Sequence, residues 1–140
     1  MSDARSGRLS VEKNLLLVFT RPVEGHEDEF NEWYDQRHLP DVTGLPGIVA
    51  GQRFVFQEAS RNSVSAAPEF GYLAIYEVPD GELDKAKAAL TATSAERRAA
   101  ASASDNHSVR VPGSPFIAPG NISYWFTAVG ERVVSDAGTD

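Results

Sequence analysis

A tyrosine, a histidine and an aspartate lie close together in the stretch EWYDQRHLPDVTGLPG, residues 32–47, and could carry out proton transfer. The imidazole of His38 titrates near neutral pH and can accept or donate a proton without a cofactor. Asp41 lies within one helical turn of His38 and could orient the ring, while Tyr34 lies one turn before it and could hold a substrate oxygen. These three residues form the predicted catalytic group.

Each of the three residues also has an ordinary structural explanation. An imidazole at a helix end can bond the last carbonyls and is favoured there by the helix dipole. The residues alone leave both roles of His38 open. For Asp41 they favour turn chemistry after a proline, with an orienting role as the alternative. An aromatic stripe such as the one containing Tyr34 is typical of a helix that faces a core.

A second group of residues is predicted to bind a substrate: Trp33, Arg53, Phe54, Tyr72 and His107. The aromatic members suit an apolar cavity. Arg53 alternates with apolar residues on a strand, so it must find a partner if it is buried. That partner could be a substrate carboxylate or enolate, but an ion pair with Glu77 is the more ordinary expectation. His107 lies in a loop that could close over the cavity, or it is a surface histidine.

Several kinds of site are not supported by the sequence. There is no cysteine, which excludes disulfides and thiolate metal sites. His38, Asp41 and His107 could offer three nitrogen and oxygen ligands, but they lack the spacing of a metal motif. No glycine-rich phosphate loop and no G-x-S-x-G motif occur. We therefore predict neither a metal nor another cofactor.

Length and charge narrow the class of protein further. The chain has 140 residues, which suits one domain, and a formal net charge of −7. No basic block with interleaved aromatics is present, which argues against nucleic acid as a partner. The longest apolar run, Leu15 to Phe19, is too short to span a bilayer, and the first ten residues lack the apolar segment of a signal peptide. We expect a cytoplasmic protein with no membrane partner.

Hydrophobic periodicity predicts four strands and two helices within a single domain over 13–130, flanked by a flexible arm at 1–12 and a tail at 131–140. The predicted strands are KNLLLVFTR (13–21), IVAGQRFVFQE (48–58), FGYLAIYEV (70–78) and NISYWFTAV (121–129). The first helix is predicted to end at His38, because Pro40 cannot continue it, and the second runs from Asp80 to near Arg98. This order predicts an α+β, ferredoxin-like βαββαβ fold with a four-stranded antiparallel sheet.

Both faces of the predicted sheet carry apolar residues. Strand three places Tyr72 and Tyr76 on one face and Leu73 and Ile75 on the other. Two helices can cover only one face of the sheet, so the other face needs cover as well. The simplest cover is the sheet of a second copy, giving a homodimer through sheet faces. The alternative is that the loop at 99–120 folds over the free face.

The region from the first helix to the second strand resembles the EthD-like proteins of the dimeric α+β-barrel superfamily. The matching motifs are Trp33-Tyr34-Asp35, His38-Leu39-Pro40-Asp41, Pro46-Gly47 and Arg53-Phe54. The resemblance implies a dimeric α+β barrel with a cavity between the helices and the sheet, and a His38 that faces this cavity. Relatives in the superfamily include cofactor-free monooxygenases, cyclases, decarboxylases, isomerases and dehydratases, as well as members with no known activity.

Together these observations predict a cofactor-independent enzyme in which His38 acts as general acid or base. The expected reaction is proton abstraction beside a carbonyl, followed by elimination, cyclisation or isomerisation, as in a lyase, cyclase or isomerase. The expected substrate is small, mostly apolar and oxygenated: aromatic, polyketide-like or terpenoid. The alternatives are a cofactor-free monooxygenase and a non-catalytic dimeric ligand-binding protein.

Overall fold

The computed structural model describes residues 11–60, 67–102 and 111–136 and shows the predicted order of elements. The elements are β1 (Asn14–Thr20), α1 (Glu27–Trp33), a π-helical turn (Tyr34–His38), α2 (Leu39–Thr43), β2 (Ala50–Val55), β3 (Tyr72–Val78), α3 (Leu83–Ser102) and β4 (Ile122–Thr127). Because α1, the π turn and α2 follow one another without a break, they count as one helical segment. The order is then βαββαβ.

The four strands form one antiparallel sheet in the order β2-β3-β1-β4. The central strand β1 pairs with β3 on one side and β4 on the other, so that Leu16 lies opposite both Tyr76 and Trp125. Paired residues share a face, which places all three side chains on the side that the helices cover. This topology confirms the predicted ferredoxin-like α+β class.

The helix does not end at His38, and this prediction was wrong. The backbone N–H of Leu39 donates to the carbonyl of Tyr34, a π-type bond, and α2 then continues to Thr43. A proline in a helix lacks one donor and pushes against the carbonyl four residues earlier. The wider π turn before Pro40 accommodates the ring, so the helix continues instead of stopping. Its C-cap is Gly44, whose N–H donates to the carbonyl of Pro40 at 3.1 Å.

The core lies between the helical segments and one face of the sheet. Its fully buried side chains include Phe30 of α1, Val78 of β3 and Ala86 of α3, each 0% exposed. On the opposite face of the sheet, Phe54 and Phe126 are 43% and 53% exposed. A sheet with apolar side chains on both faces is therefore present, as predicted, and the described residues leave one of these faces uncovered.

The second helix is longer than predicted, because α3 runs past Arg98 to Ser102. The part of the predicted 99–120 loop that is described after α3, 111–120, packs on the helical side. There the ring of Phe116 stacks on His26 at 5.3 Å, and the N–H of Val23 donates to the carbonyl of Phe116. This part of the chain does not cover the free sheet face. Of the helices described, none has the length and apolarity needed to cross a bilayer.

Replacing Gly47 with alanine should destabilise the fold by about 2 kcal/mol. Gly47 has φ +86°, and an added Cβ would lie 2.9 Å from the backbone nitrogen of Ala86 in α3. Gly81 is the matched control, because it has φ +88° but nothing within 4 Å of an added Cβ. Gly81→Ala should therefore cost about 1 kcal/mol, from backbone strain alone. Urea denaturation of both variants measures the difference, and equal losses would contradict a close α3 contact at Gly47.

Candidate functional site

A cavity of about 690 Å³ lies between α3 and the helix-facing side of the sheet. Leu16, Val18 and Trp125 of the sheet form an apolar wall, and His38 lies among the lining residues. Its volume falls within the range of small-molecule sites. A cavity that encloses apolar surface beside an imidazole is suited to bind a small organic ligand and to exchange a proton with it.

The π turn fixes the position of His38 between two aromatic rings. In a π turn, residues five apart come to lie over one another, and the imidazole of His38 accordingly stacks on Trp33, with ring centroids 4.7 Å apart and 26° between the planes. Tyr34 meets the same imidazole edge-on at 4.9 Å. Trp33 and Tyr34, both predicted site residues, therefore hold the ring from two sides. The imidazole orientation depends on helix geometry and not on a loop.

The imidazole of His38 is neutral at physiological pH. Its Nδ1 atom is buried and has no hydrogen-bond partner among the described residues. Burial lowers the pKa of His38 to about 4, and the positive charges of Arg97 and Arg53 lower it further in the same direction. A neutral imidazole can accept a proton or a hydrogen bond, whereas it has no extra proton to donate at pH 7.

Asp41 does not orient His38 in this structure. Its Oδ2 lies 3.6 Å from the Nε of Arg37, one helical turn away, and the aspartate belongs to α2 and not to a turn. The turn interpretation of Asp41 is therefore wrong, and the predicted contact between Asp41 and His38 is not found in the part of the chain described. The predicted catalytic group thus reduces to His38 with Tyr34 beside it.

A second tyrosine completes the site from the sheet. Tyr76 of β3 lines the cavity, and its side chain is 1% exposed, like that of Tyr34. Burial raises the pKa of both phenols, and the neighbouring Tyr34 raises that of Tyr76 further. Both hydroxyls therefore stay protonated, and Tyr76 belongs to the cavity lining while its hydroxyl oxygen is buried. The sequence placed Tyr76 on the same strand face as Tyr72, and this alternation was the available signal.

Arg53 is engaged outside the cavity, and its predicted ion pair with Glu77 is wrong. Its guanidinium donates to Asp35 at 2.7 Å and to Asn31 at 2.8 Å, and it lies 4.5 Å over the ring of Tyr34. Glu77 lies on the other face of the sheet, because it is paired with Ala50 and not with a residue that shares the face of Arg53. Arg53 therefore joins β2 to α1 and acts on His38 through its charge.

The remaining predicted residues lie apart from the cavity. Phe54 and Tyr72 line a smaller apolar groove of about 180 Å³ at the edge formed by β2 and β3. The Tyr72 hydroxyl accepts a hydrogen bond from Asn31 at 3.4 Å, and its ring meets Phe30 edge-on. His107 lies outside the described residues. Trp33 reaches the site only through its stack on His38.

The sequence analysis did not predict that one wall of the cavity carries positively charged side chains. Lys87, Arg97 and Arg98 of α3 line it together with Leu90 and Ser94, at the three- and four-residue spacing of one helix face. This spacing was visible in the sequence, but a charged helix face ordinarily faces solvent. In the described part of the chain, no group of three or more His, Cys, Asp or Glu side chains is placed to hold a metal ion.

The βαββαβ sheet with a cavity under its helices defines a ferredoxin-like α+β protein. Among solved structures, the chain is similar to a crystal structure of an EthD-like protein from Ralstonia eutropha JMP134, with 16% identity and a TM-score of 0.50. The match covers 86% of this chain and 96% of that one. The chain therefore has an EthD-like fold, as the resemblance implied. No family model matches the sequence, and no curated protein matches it.

Proposed function

We propose that the cavity is the active site of a cofactor-independent enzyme in which His38 takes a proton from a small oxygenated substrate. The observation that supports this most is the imidazole itself: a neutral, partly buried histidine, fixed by two aromatic rings, on the wall of a cavity of suitable size. Proton abstraction beside a carbonyl, followed by elimination, cyclisation or isomerisation, needs a base of this kind and no cofactor.

The low pKa of His38 determines how such a base would operate. Before a substrate binds, the imidazole is a weak base, because burial and then the charges of Arg97 and Arg53 oppose a positive charge on it. A negative charge that develops on the substrate would offset these cations and raise the affinity of His38 for the proton. The proton transfer would thus be favoured as an enolate-like charge forms, and the protonated hydroxyl of the lining residue Tyr76 could donate a hydrogen bond to that oxygen.

Deuterium exchange tests this proposal without knowledge of the natural substrate. The protein is incubated in D2O with a panel of aromatic and alicyclic ketones, keto acids and lactones, and incorporation beside the carbonyl is followed by NMR. We expect exchange above the buffer rate for some members. Products formed only in the presence of oxygen would instead support the monooxygenase alternative, and no exchange across the panel would contradict the proposed chemistry.

A second candidate, a ligand-binding protein without catalysis, is favoured by the surroundings of His38. Catalytic histidines commonly have a carboxylate that fixes the tautomer, whereas Asp41 here pairs with Arg37. This candidate predicts that ligands bind in the cavity unchanged. Recovery of a bound compound together with absence of exchange would favour it.

We further propose that two copies associate through their free sheet faces. Ile122, Tyr124 and Phe126 of β4 share that face with Phe54 of β2, and all four are more than a third exposed in the single chain. Such a contiguous apolar surface is costly to leave in water. A second sheet stacked on this one would cover it, so that both faces of each sheet would be packed against another layer.

Phe126→Glu should weaken this dimer by at least tenfold, because it would bury a carboxylate at the interface without a partner. Val133→Glu is the control, since Val133 is 92% exposed and lies beyond β4. Sedimentation equilibrium at micromolar concentration should give a dimer for the wild type and the control, and a lighter species for Phe126→Glu. A monomeric wild type would contradict the proposal.

A further inference from the structure

The charge of the cavity is opposite to that of the chain. The protein carries a formal net charge of −7, yet the described residues that line the cavity include Lys87, Arg97 and Arg98 and no carboxylate. Side chains of one sign that gather in a cleft attract ligands of the opposite sign. The cations lie on α3, and the apolar wall of Leu16 and Trp125 lies on the sheet. One side of the cavity is therefore cationic and the opposite side is apolar.

Arg97 is the cation held most firmly. Its Nη1 donates to the carbonyl of Val111 at 3.2 Å, which anchors the guanidinium on the segment after α3. A guanidinium has five N–H donors in a plane, so this one bond leaves others to be directed toward a ligand. Lys87 and Arg98 are more exposed, and the Lys87 Nζ lies 6.0 Å over the ring of Trp125. Arg97 can thus bind an anion inside the cavity, with Lys87 and Arg98 adding charge around it.

The positive charge of Arg97 also acts on His38. Burial is the main cause of the lowered pKa of the imidazole, and the charge of Arg97 lowers this pKa further. A bound anion near Arg97 would cancel part of that effect and raise the pKa of His38. Binding of a charged ligand and basicity of the histidine would therefore be coupled.

We propose that the cavity binds an amphiphilic organic acid, with its carboxylate on Arg97 and its apolar ring system against the wall formed by Leu16, Val18 and Trp125. The side chains of Ser94, Ser123 and Asn121 line the same cavity, and their hydroxyl and amide groups can donate hydrogen bonds to the carboxylate. This inference rests on the cavity being the site named under Proposed function, and it specifies the substrate class as a carboxylate with an apolar body.

The test compares 1-naphthoate with its neutral analogue 1-naphthamide by isothermal titration calorimetry on the full-length protein. We expect 1-naphthoate to bind the wild type at least tenfold more tightly than 1-naphthamide. Arg97→Gln should weaken 1-naphthoate about tenfold, the usual size of one charge-assisted contact, and leave 1-naphthamide unchanged. Arg132→Gln removes the same charge at an exposed position after β4 and should change neither affinity by more than twofold.

A second variant covers the case in which Arg97→Gln fails to fold. Lys87 and Arg98 are both exposed, and the double variant Lys87→Gln, Arg98→Gln should also weaken 1-naphthoate selectively. In the wild type, saturation with 1-naphthoate should raise the pKa of His38 in an NMR titration of the imidazole. Equal binding of both compounds, no binding of 1-naphthoate, or equal effects of Arg97→Gln and Arg132→Gln would overturn the inference. Selective carboxylate binding without deuterium exchange would instead count against the proposed catalysis and leave this inference standing.

Discussion

His38→Gln should reduce turnover by about 10²–10⁴-fold on any substrate that the wild-type protein converts, which is the usual contribution of a positioned general base. Glutamine is close to histidine in size and can form hydrogen bonds, but it cannot take up a proton near neutral pH. The stack on Trp33 would be lost, while the backbone of the π turn and the core around Phe30 would remain. The measurement is kcat for both proteins, accompanied by circular dichroism to show that the variant is folded.

His26→Gln is the matched control for this experiment. His26 precedes α1, its side chain is 45% exposed, and it packs on Phe116 away from the cavity. We expect its turnover to stay within twofold of the wild type. If His38→Gln also stayed within a few-fold, the imidazole would not be the base, and Tyr76 would be the next residue to test.

The stability of the wild-type protein should fall by up to about 3 kcal/mol between pH 6.5 and pH 4 because of His38 alone. The folded pKa of about 4 lies below the ordinary histidine value of 6.5, so the unfolded chain binds this proton more readily than the folded chain does. The contribution is fully present above pH 6.5, is lost as the pH falls toward 4, and changes no further below that. The cause is burial first and the nearby Arg97 and Arg53 second.

The comparison with His38→Gln isolates this contribution, because the other titrating groups are the same in both proteins. The free energies of unfolding of the two proteins, measured by urea denaturation at several pH values, should converge as the pH falls. The wild type loses stability in this range that the variant cannot lose. A constant difference between the two proteins from pH 7 to pH 4 would show that the imidazole is solvated and would contradict the buried site.

The order of elements could be predicted because it depends on local patterns. Strand alternation and helical periodicity gave the βαββαβ order, and alternation along β3 correctly separated Tyr76 from Leu73 and Ile75. The end of the first helix could not be predicted in the same way. Pro40 locally favours the end of a helix. In the structure the π turn accommodates the proline, and the helix continues and stays packed on the core.

Only the part of the site that depends on the type of a single residue could be predicted from the sequence. His38 was identified from its type and its neighbours, and the structure places it at the cavity. The partners of Arg53 were missed because α1 supplies Asn31 and the π turn supplies Asp35 across the fold, and no local pattern records such contacts. Arg97 was missed because its place on the cavity wall depends on a gap between α3 and the sheet, which arises from tertiary packing alone.

The most direct test of the central claim, that the cavity beside His38 is the ligand site, is chemical-shift mapping with the neutral compound 1-naphthamide. The cavity beside His38 can be compared with the groove on the β2–β3 edge, and binding of this compound does not depend on the cationic wall. We predict that the largest ¹H–¹⁵N shifts occur at the Trp125 indole, at Leu90 and Ser94 of α3, and at the His38 imidazole. Shifts concentrated instead around Phe54 and Leu73, in the groove on the β2–β3 edge, would contradict the account.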